Sequence, residues 1–210
     1  MSRLVTFGCS FTVGLGLPDI YPPKDLNQEG SIPSKYAWPN LLAEKLGKKI
    51  VNCGSAGAGN KEILSKILSF DFQHNDTVVV LWSAFDRHDM PFYSKELHNP
   101  MRLDVKHFLA ANDVTSSKWK NHTRIKNWLT IHHASLYLQS KVQQSHMLLG
   151  ILHSFDELEK LNLEYPKLIE DIIPDDWVID NALDIDGPYT PHPGLESHRL
   201  LSKLIYDRIV

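Results

Sequence analysis

The sequence of 210 residues contains two cysteines, Cys9 and Cys53, and no CxxC pair or Cys/His finger spacing. Two cysteines cannot form the disulfide framework of a small secreted domain. The apolar runs are short, Val78 to Trp82 being typical, and a bilayer span needs about 20 apolar residues. Lys and Arg number 22 against 25 Asp and Glu, a net charge of −3. Without a basic field, we expect no nucleic-acid partner and no membrane partner.

The remaining composition is that of an ordinary globule, with 42% hydrophobic and 22% charged residues. A chain of this length is predicted to fold as a single domain, residues 1–210, with no metal or disulfide staple. The stretch from Leu4 to Leu17 superficially resembles a secretory signal, but it contains Ser10 and Thr12 and lacks a small-residue cleavage site. A buried first strand explains the same residues, so we expect a cytoplasmic protein.

Short β-rich runs alternate with helical patterns along the chain, which predicts a parallel sheet with helices on both faces. Residues 18–39 hold five prolines and are expected to be a long surface loop. Asn60 is expected to cap the helix that follows the glycine-rich turn after the second strand. The predicted strands are Arg3–Phe7, Lys49–Cys53, Thr77–Trp82 and Met147–Leu152. The predicted helices begin near Pro39, Asn60, Arg124, Phe155 and Leu195. The helix that begins near Arg124 is predicted to reach Val142, and the one that begins at Phe155 is predicted to reach Leu161.

A serine follows the first predicted strand, in the run from Gly8 to Thr12. Open α/β folds bind their ligands at the carboxyl ends of the strands, so Ser10 is a candidate nucleophile. Serine is a weak nucleophile unless a base accepts its proton, and a histidine must therefore come from elsewhere in the chain. Taken alone, Ser10 is better explained as a helix cap.

Near the end of the chain, His192 stands between two prolines just before the last predicted helix. Histidine ordinarily titrates near neutrality, as a general base requires. Either Asp186 or Asp184 would accept the other ring N–H. His198, six residues further on, is expected to cap or pack and is the second candidate for the base.

These residues together resemble the SGNH (GDSL-type) hydrolases. Gly8-Cys9-Ser10-Phe11-Thr12 resembles the first block of that family, with Cys9 where better-known members have Asp. Val51 to Gly57 and the following Ala58-Gly59-Asn60 resemble the second block. Asp186-Gly187 and His192-Pro193 resemble the last block, with Asp and His six positions apart where in the family they are three apart.

The resemblance implies an α/β fold, a three-layer α/β/α sandwich with a central parallel, flavodoxin-like sheet. It also implies a serine esterase in which Ser10 attacks, His192 accepts the proton and Asp186 orients the imidazole, without a cofactor or a metal. The backbone N–H groups of Ser10 and Gly57 would hold the oxyanion. The substrate would be a small-molecule or carbohydrate ester with an acyl or acetyl group.

The third block departs from the family pattern. Phe85 occupies the position of the oxyanion-hole Asn, and a phenyl ring has no hydrogen-bond donor. Ser83, through its hydroxyl, or Arg87, through its guanidinium, would replace it. The alternative is a catalytically weak SGNH-like module that binds a ligand or serves a structural role.

Other residues have simpler explanations. Cys9 and Cys53 are expected to be buried structural thiols. His132 and His133 are neighbours on a helix and point different ways, so no metal site is expected. Four tryptophans offer a conceivable sugar-stacking surface, although core packing is the expected use of most: Trp38, Trp82, Trp119 and Trp128. The basic and aromatic residues between Lys118 and Trp128 are interpreted as a solvated helix face.

Overall fold

The structure, a computed structural model, describes residues 2–20, 32–83, 116–148 and 192–210. Across these ranges four strands form one sheet in the order β2-β1-β3-β4, and all neighbouring strands are parallel. The chain therefore leaves β1 in one direction and returns to the other side of it, which creates a crevice at the carboxyl ends of β1 and β3. The strands are β1 (Arg3–Gly8), β2 (Lys49–Asn52), β3 (Thr77–Leu81) and β4 (Gln144–Leu148).

Helices cover both faces of the sheet. The helix Trp38–Leu46 packs against the helix Leu195–Ile209, and the helix Asn60–Ser69 packs against the helix Ser116–Gln139. Right-handed crossovers that run in opposite directions along a sheet lie on opposite faces, which explains this division. The predicted three-layer α/β/α class is confirmed. The helices are α1 (Ser10–Val13), α2 (Trp38–Leu46), α3 (Asn60–Ser69), α4 (Ser116–Gln139) and α5 (Leu195–Ile209).

The central strands owe their position to continuous apolar runs. Every residue of β3 is buried, as expected of a strand that has helices on both faces. Phe7 of β1 packs its ring against Phe70 and Phe72, with centroids 5.6 and 6.0 Å away. These contacts join the sheet to the chain segment that follows α3, so the crevice is built on a rigid core.

The ends of α2 agree with the prediction. Pro39 lies in the first turn, where a missing N–H costs nothing, and Gly47 ends the helix in the left-handed conformation at φ +62°. Ser34 and Ala37, in the segment expected to be a surface loop, are both fully buried. Residues 21–31 of that segment lie outside the described ranges.

The predicted boundaries of two elements were wrong. Strand β4 begins at Gln144, three residues before the predicted Met147, because its pairing with β3 starts at Thr77 opposite Gln144. Helix α4 begins at Ser116 and ends at Gln139, so it starts earlier and ends earlier than the predicted 124–142. The helix predicted over 155–161 lies outside the described residues. No described helix is long and apolar enough to cross a membrane.

Candidate active site

Ser10 lies at the carboxyl edge of the sheet, where the sequence predicts it. Strand β1 ends at Gly8, Cys9 is the N-cap residue, and Ser10 is the first residue of α1. A Cβ atom on Gly8 would lie 2.1 Å from the hydroxyl oxygen of Thr12 and 2.8 Å from the carbonyl oxygen of Leu81. The turn from strand to helix is therefore so tight that only glycine fits at its start.

The imidazole of His192 meets this serine from the other end of the chain. Its Nε2 atom lies 3.1 Å from the hydroxyl oxygen of Ser10, within hydrogen-bond distance. The ring of Phe11 packs edge-on against the imidazole, with centroids 5.6 Å apart and an interplanar angle of 77°. Two of the three predicted catalytic side chains are thus adjacent. Asp186 and its alternative Asp184 lie outside the described residues, and their role stays a prediction.

The end of β2 and the loop between β2 and α3 are hydrogen-bonded to the residues that flank Ser10. Ser55 donates its backbone N–H to the carbonyl of Gly8 at 3.0 Å. Asn52 donates its side-chain amide to the carbonyl of Thr12 at 2.8 Å and accepts from the N–H of Gly54 at 2.9 Å. Gly57, the predicted oxyanion donor, adopts φ +69° in this loop, a left-handed conformation that favours glycine. Its role as a donor stays a prediction.

Asn60 makes hydrogen bonds that the sequence does not predict. The N-cap of α3 is Gly59, and no side chain caps that helix end. Asn60 is the first residue of α3, and its side-chain amide instead bonds the backbone of Ser83, which follows β3. The expectation that Asn60 caps its own helix was therefore wrong, because a partner 23 residues away in the chain competes for the same amide. No local pattern in the sequence signals such a partner.

Of the two predicted replacement donors for the oxyanion, Ser83 and Arg87, only Ser83 lies within the described residues. Ser83 is fully buried immediately beyond the end of β3, at the same edge of the sheet as Ser10. Whether its hydroxyl serves as the donor stays a prediction. Arg87 and Phe85 lie outside the described residues.

The two cysteines differ in their surroundings. Cys9 is buried and belongs to the hydrophobic core, as predicted. Cys53 is only half-buried, so its predicted full burial was wrong. Desolvation nonetheless raises the pKa of its thiol, against smaller opposite effects of Lys66 and Arg3. A raised pKa disfavours the reactive thiolate, so Cys53 lacks the surroundings of a nucleophile.

His198, the second candidate for the base, packs as predicted. Its imidazole is buried, and its Nδ1 atom accepts the backbone N–H of Trp38 at 3.0 Å. His132 and His133 have ring centroids 6.2 Å apart on α4. Among the described residues no group of three His, Cys, Asp or Glu side chains is arranged to hold a metal ion.

The tryptophans pack in the core. Trp38, Trp82 and Trp128 are at most 1% exposed. None of these three offers a ring to a sugar, so the sugar-stacking surface that the sequence left open is not built from them. The side chain of Trp119 lies outside the described part of the chain.

Solved structures share this fold along almost the whole chain. A phospholipase A1 from Streptomyces albidoflavus NA297 is 12% identical, with a TM-score of 0.54 and an alignment covering 98% of both chains. A catalytic mutant of Axe2, an acetylxylan esterase from Geobacillus stearothermophilus, is 13% identical, with a TM-score of 0.51 over 99% of this chain and 93% of that one.

A carbohydrate esterase family 2 enzyme with a carbohydrate binding domain, from Corynascus thermopiles, is 14% identical, with a TM-score of 0.53 over 99% of this chain and 65% of that one. At these identities the likeness establishes the fold alone. The α/β fold with a central parallel sheet that the sequence predicts is thereby confirmed. No protein-family model and no curated protein matches the sequence.

Proposed function

We propose that the protein is a serine hydrolase that cleaves an acyl or acetyl ester of a small molecule or a carbohydrate. The proposal rests on one observation, the 3.1 Å separation between the hydroxyl oxygen of Ser10 and Nε2 of His192. A serine becomes a useful nucleophile only when a base is within hydrogen-bond reach of its hydroxyl. The phospholipase and the acetylxylan esterase among the similar structures support the choice of ester chemistry.

In the proposed reaction, the hydroxyl oxygen of Ser10 attacks the ester carbonyl while Nε2 of His192 accepts the hydroxyl proton. The tetrahedral oxyanion accepts hydrogen bonds from the backbone N–H groups of Ser10 and Gly57 and from the hydroxyl of Ser83. The protonated imidazole then gives its proton to the leaving alcohol, and an acyl-enzyme remains on Ser10. Asp186, or Asp184 in its place, accepts the Nδ1 proton and holds the imidazole in the required tautomer.

Water completes the cycle by the same route. His192 removes a proton from the water as it attacks the acyl-enzyme carbonyl, and returns that proton to Ser10 as the carboxylic acid leaves. Every proton and electron pair is accounted for by the chain, the ester and water, so the proposed mechanism needs no cofactor. Phe11 supports it by limiting the rotation of the His192 ring from one side.

The test is covalent labelling by a fluorophosphonate probe, combined with hydrolysis of p-nitrophenyl acetate and p-nitrophenyl butyrate. Wild type is expected to be labelled on Ser10 and to hydrolyse the shorter ester. Ser10→Ala should lose labelling completely and turnover by about 10³-fold or more. Equal hydrolysis by Ser10→Ala and wild type would remove the mechanism.

The second candidate is a catalytically weak SGNH-like module that binds a ligand or has a structural role. Phe85 favours it, since the family's oxyanion donor is replaced by a ring without one, and the loss of one such donor costs about 10²–10³-fold in turnover. A folded wild-type protein that stays unlabelled between pH 6 and about pH 9, where histidine is increasingly neutral, would favour this alternative.

A further inference from the structure

The side chain of Asn60 forms a closed pair of hydrogen bonds with a single residue. Its Oδ1 atom accepts the backbone N–H of Ser83 at 2.9 Å, and its Nδ2 atom donates to the backbone carbonyl of Ser83 at 3.1 Å. The side chain is fully buried. Only an amide offers a donor and an acceptor side by side, so aspartate and leucine of nearly the same size cannot reproduce both bonds.

This pair of bonds crosses the first strand. Asn60 begins α3 directly after the loop that contains Gly57, and Ser83 stands two residues beyond the end of β3. Strand β1 lies between β2 and β3, and its last residue, Gly8, pairs with Leu81. The amide therefore joins the loops of two strands on either side of the strand end that carries Ser10.

We propose that Asn60 is a positioning residue of the oxyanion hole. The inference rests on the proposed function, in which Gly57 and Ser83 both donate to the oxyanion. These two donors belong to different loops. Asn60 follows the loop of Gly57 in the chain, and both polar atoms of its amide bond the backbone of Ser83, so it fixes the distance between the two loops. Asn60 thus acts through Ser83 and leaves substrate binding to other groups.

The physical reason is that oxyanion donors act only when they are held in place before the reaction begins. Without the pair of bonds, the backbone of Ser83 can rotate, and its hydroxyl leaves the position that the developing charge requires. A misplacement of about 1 Å at a reacting centre costs about 10²-fold in rate. Because the oxyanion forms only in the transition state, the loss falls on kcat and leaves KM nearly unchanged.

The experiment compares Asn60→Asp and Asn60→Leu with wild type on p-nitrophenyl acetate, with folding followed by circular dichroism. Asn60→Asp keeps the acceptor and the size but turns an oxygen towards the carbonyl of Ser83. Both variants are expected to lower kcat by about 10-fold to 10²-fold, with KM within about twofold. Gly47→Ala is the control for a general loss of stability. Gly47 has a φ of +62° and lies at the opposite edge of the sheet from Ser10.

A double-mutant cycle with Ser83→Ala separates positioning from structure. Ser83→Ala keeps the backbone groups that Asn60 bonds but removes the hydroxyl. If Asn60 acts by placing that hydroxyl, Asn60→Asp costs less in the Ser83→Ala background than in wild type. Fully additive losses, or a kcat that falls only with the folded fraction, as in Gly47→Ala, would overturn the inference and leave the hydrolase proposal standing. An inactive, unlabelled wild type would instead overturn the hydrolase proposal and this inference together.

Discussion

The Nδ1 atom of His198 accepts the backbone N–H of Trp38 at 3.0 Å, a bond that joins the first turn of α2 to the first turn of α5. That N–H is among the first of its helix and has no carbonyl partner within it. The bond therefore anchors the start of α5, the helix that directly follows His192. Of the two histidines near the end of the chain, one contacts Ser10 and the other supports the helix behind it.

This division gives opposite expectations for two alanine variants. His192→Ala should lower kcat on p-nitrophenyl acetate by about 10⁴-fold or more with an unchanged melting temperature. His198→Ala leaves a buried N–H without its acceptor and should cost about 1–3 kcal/mol of stability, while kcat stays within a few-fold. Paired measurements of turnover and thermal unfolding decide the matter. The reverse pattern would make His198 the base.

Glycine at position 8 is expected to be required for the nucleophile's position. Gly8→Ala places a methyl group 2.1 Å from the hydroxyl oxygen of Thr12 in α1 and 2.8 Å from the Leu81 carbonyl oxygen, so α1 must shift. We expect a stability loss of about 1–3 kcal/mol from overpacking. Labelling of Ser10 by a fluorophosphonate should slow by about tenfold or more.

Gly47→Ala is the matched control for Gly8→Ala. It adds a methyl group where no atom lies within 4 Å, at a φ of +62° that strains any other residue. It should cost about 1 kcal/mol and leave the labelling rate unchanged. Equal labelling rates in Gly8→Ala and wild type would show that the tight turn does not set the position of Ser10.

Arg3 and Asp76 form a pair whose disruption should be costly. The guanidinium donates from Nε and Nη2 to the two carboxylate oxygens of Asp76 at 2.8 and 2.6 Å, and the Asp76 side chain is fully buried. Arg3→Met leaves that carboxylate with the N–H of Gln73 as its remaining described partner. We expect a loss of about 3–5 kcal/mol, measured by urea denaturation. Arg3→Lys keeps the charge and should lose less, so an equal loss in both variants would contradict the charge-based explanation.

The partial burial of Cys53 is expected to slow the alkylation of its thiol. Since desolvation raises the pKa of its thiol, alkylation by iodoacetamide at pH 8 should be slower than that of free cysteine and should keep accelerating at higher pH. The unfolded thiol ionises first, near its ordinary pKa of about 8.5. This contribution to stability is therefore full below that pH and is lost as pH rises towards the folded value. Cys53→Ser leaves only the buried Cys9 and should abolish the reaction, whereas a rate equal to that of free cysteine would contradict the raised pKa.

The sequence predicts the ends of a helix or strand well when the residues at those ends determine them, and poorly when a distant part of the chain does. Helix α2 was predicted closely, because Pro39 and Gly47 have conformational preferences of their own. Strand β4 was placed three residues late, because its start is set by pairing with Thr77, and no residue near Gln144 carries that information.

The candidate site divides in the same way. Ser10 and His192 were predicted as partners from motifs at the two ends of the chain, and they lie within hydrogen-bond distance. Asn60 was interpreted as a cap because asparagine often caps helices, yet its amide bonds a backbone that only the folded sheet brings near. Bonds between loops of different strands depend on topology, which short motifs do not encode.

The last prediction concerns which aspartate orients His192. In a Ser-His-Asp site the carboxylate holds the imidazole in the tautomer whose Nε2 is free to accept a proton, so an amide at that position lowers kcat by about 10⁴-fold with little effect on KM. We expect this result for Asp186→Asn and a change of less than a few-fold for Asp184→Asn, with p-nitrophenyl acetate as substrate and labelling as a second readout. The opposite ranking would assign the role to Asp184. Two variants that both retain full activity would mean that His192 acts without either carboxylate, and the Asp component of the proposed mechanism would have to be abandoned.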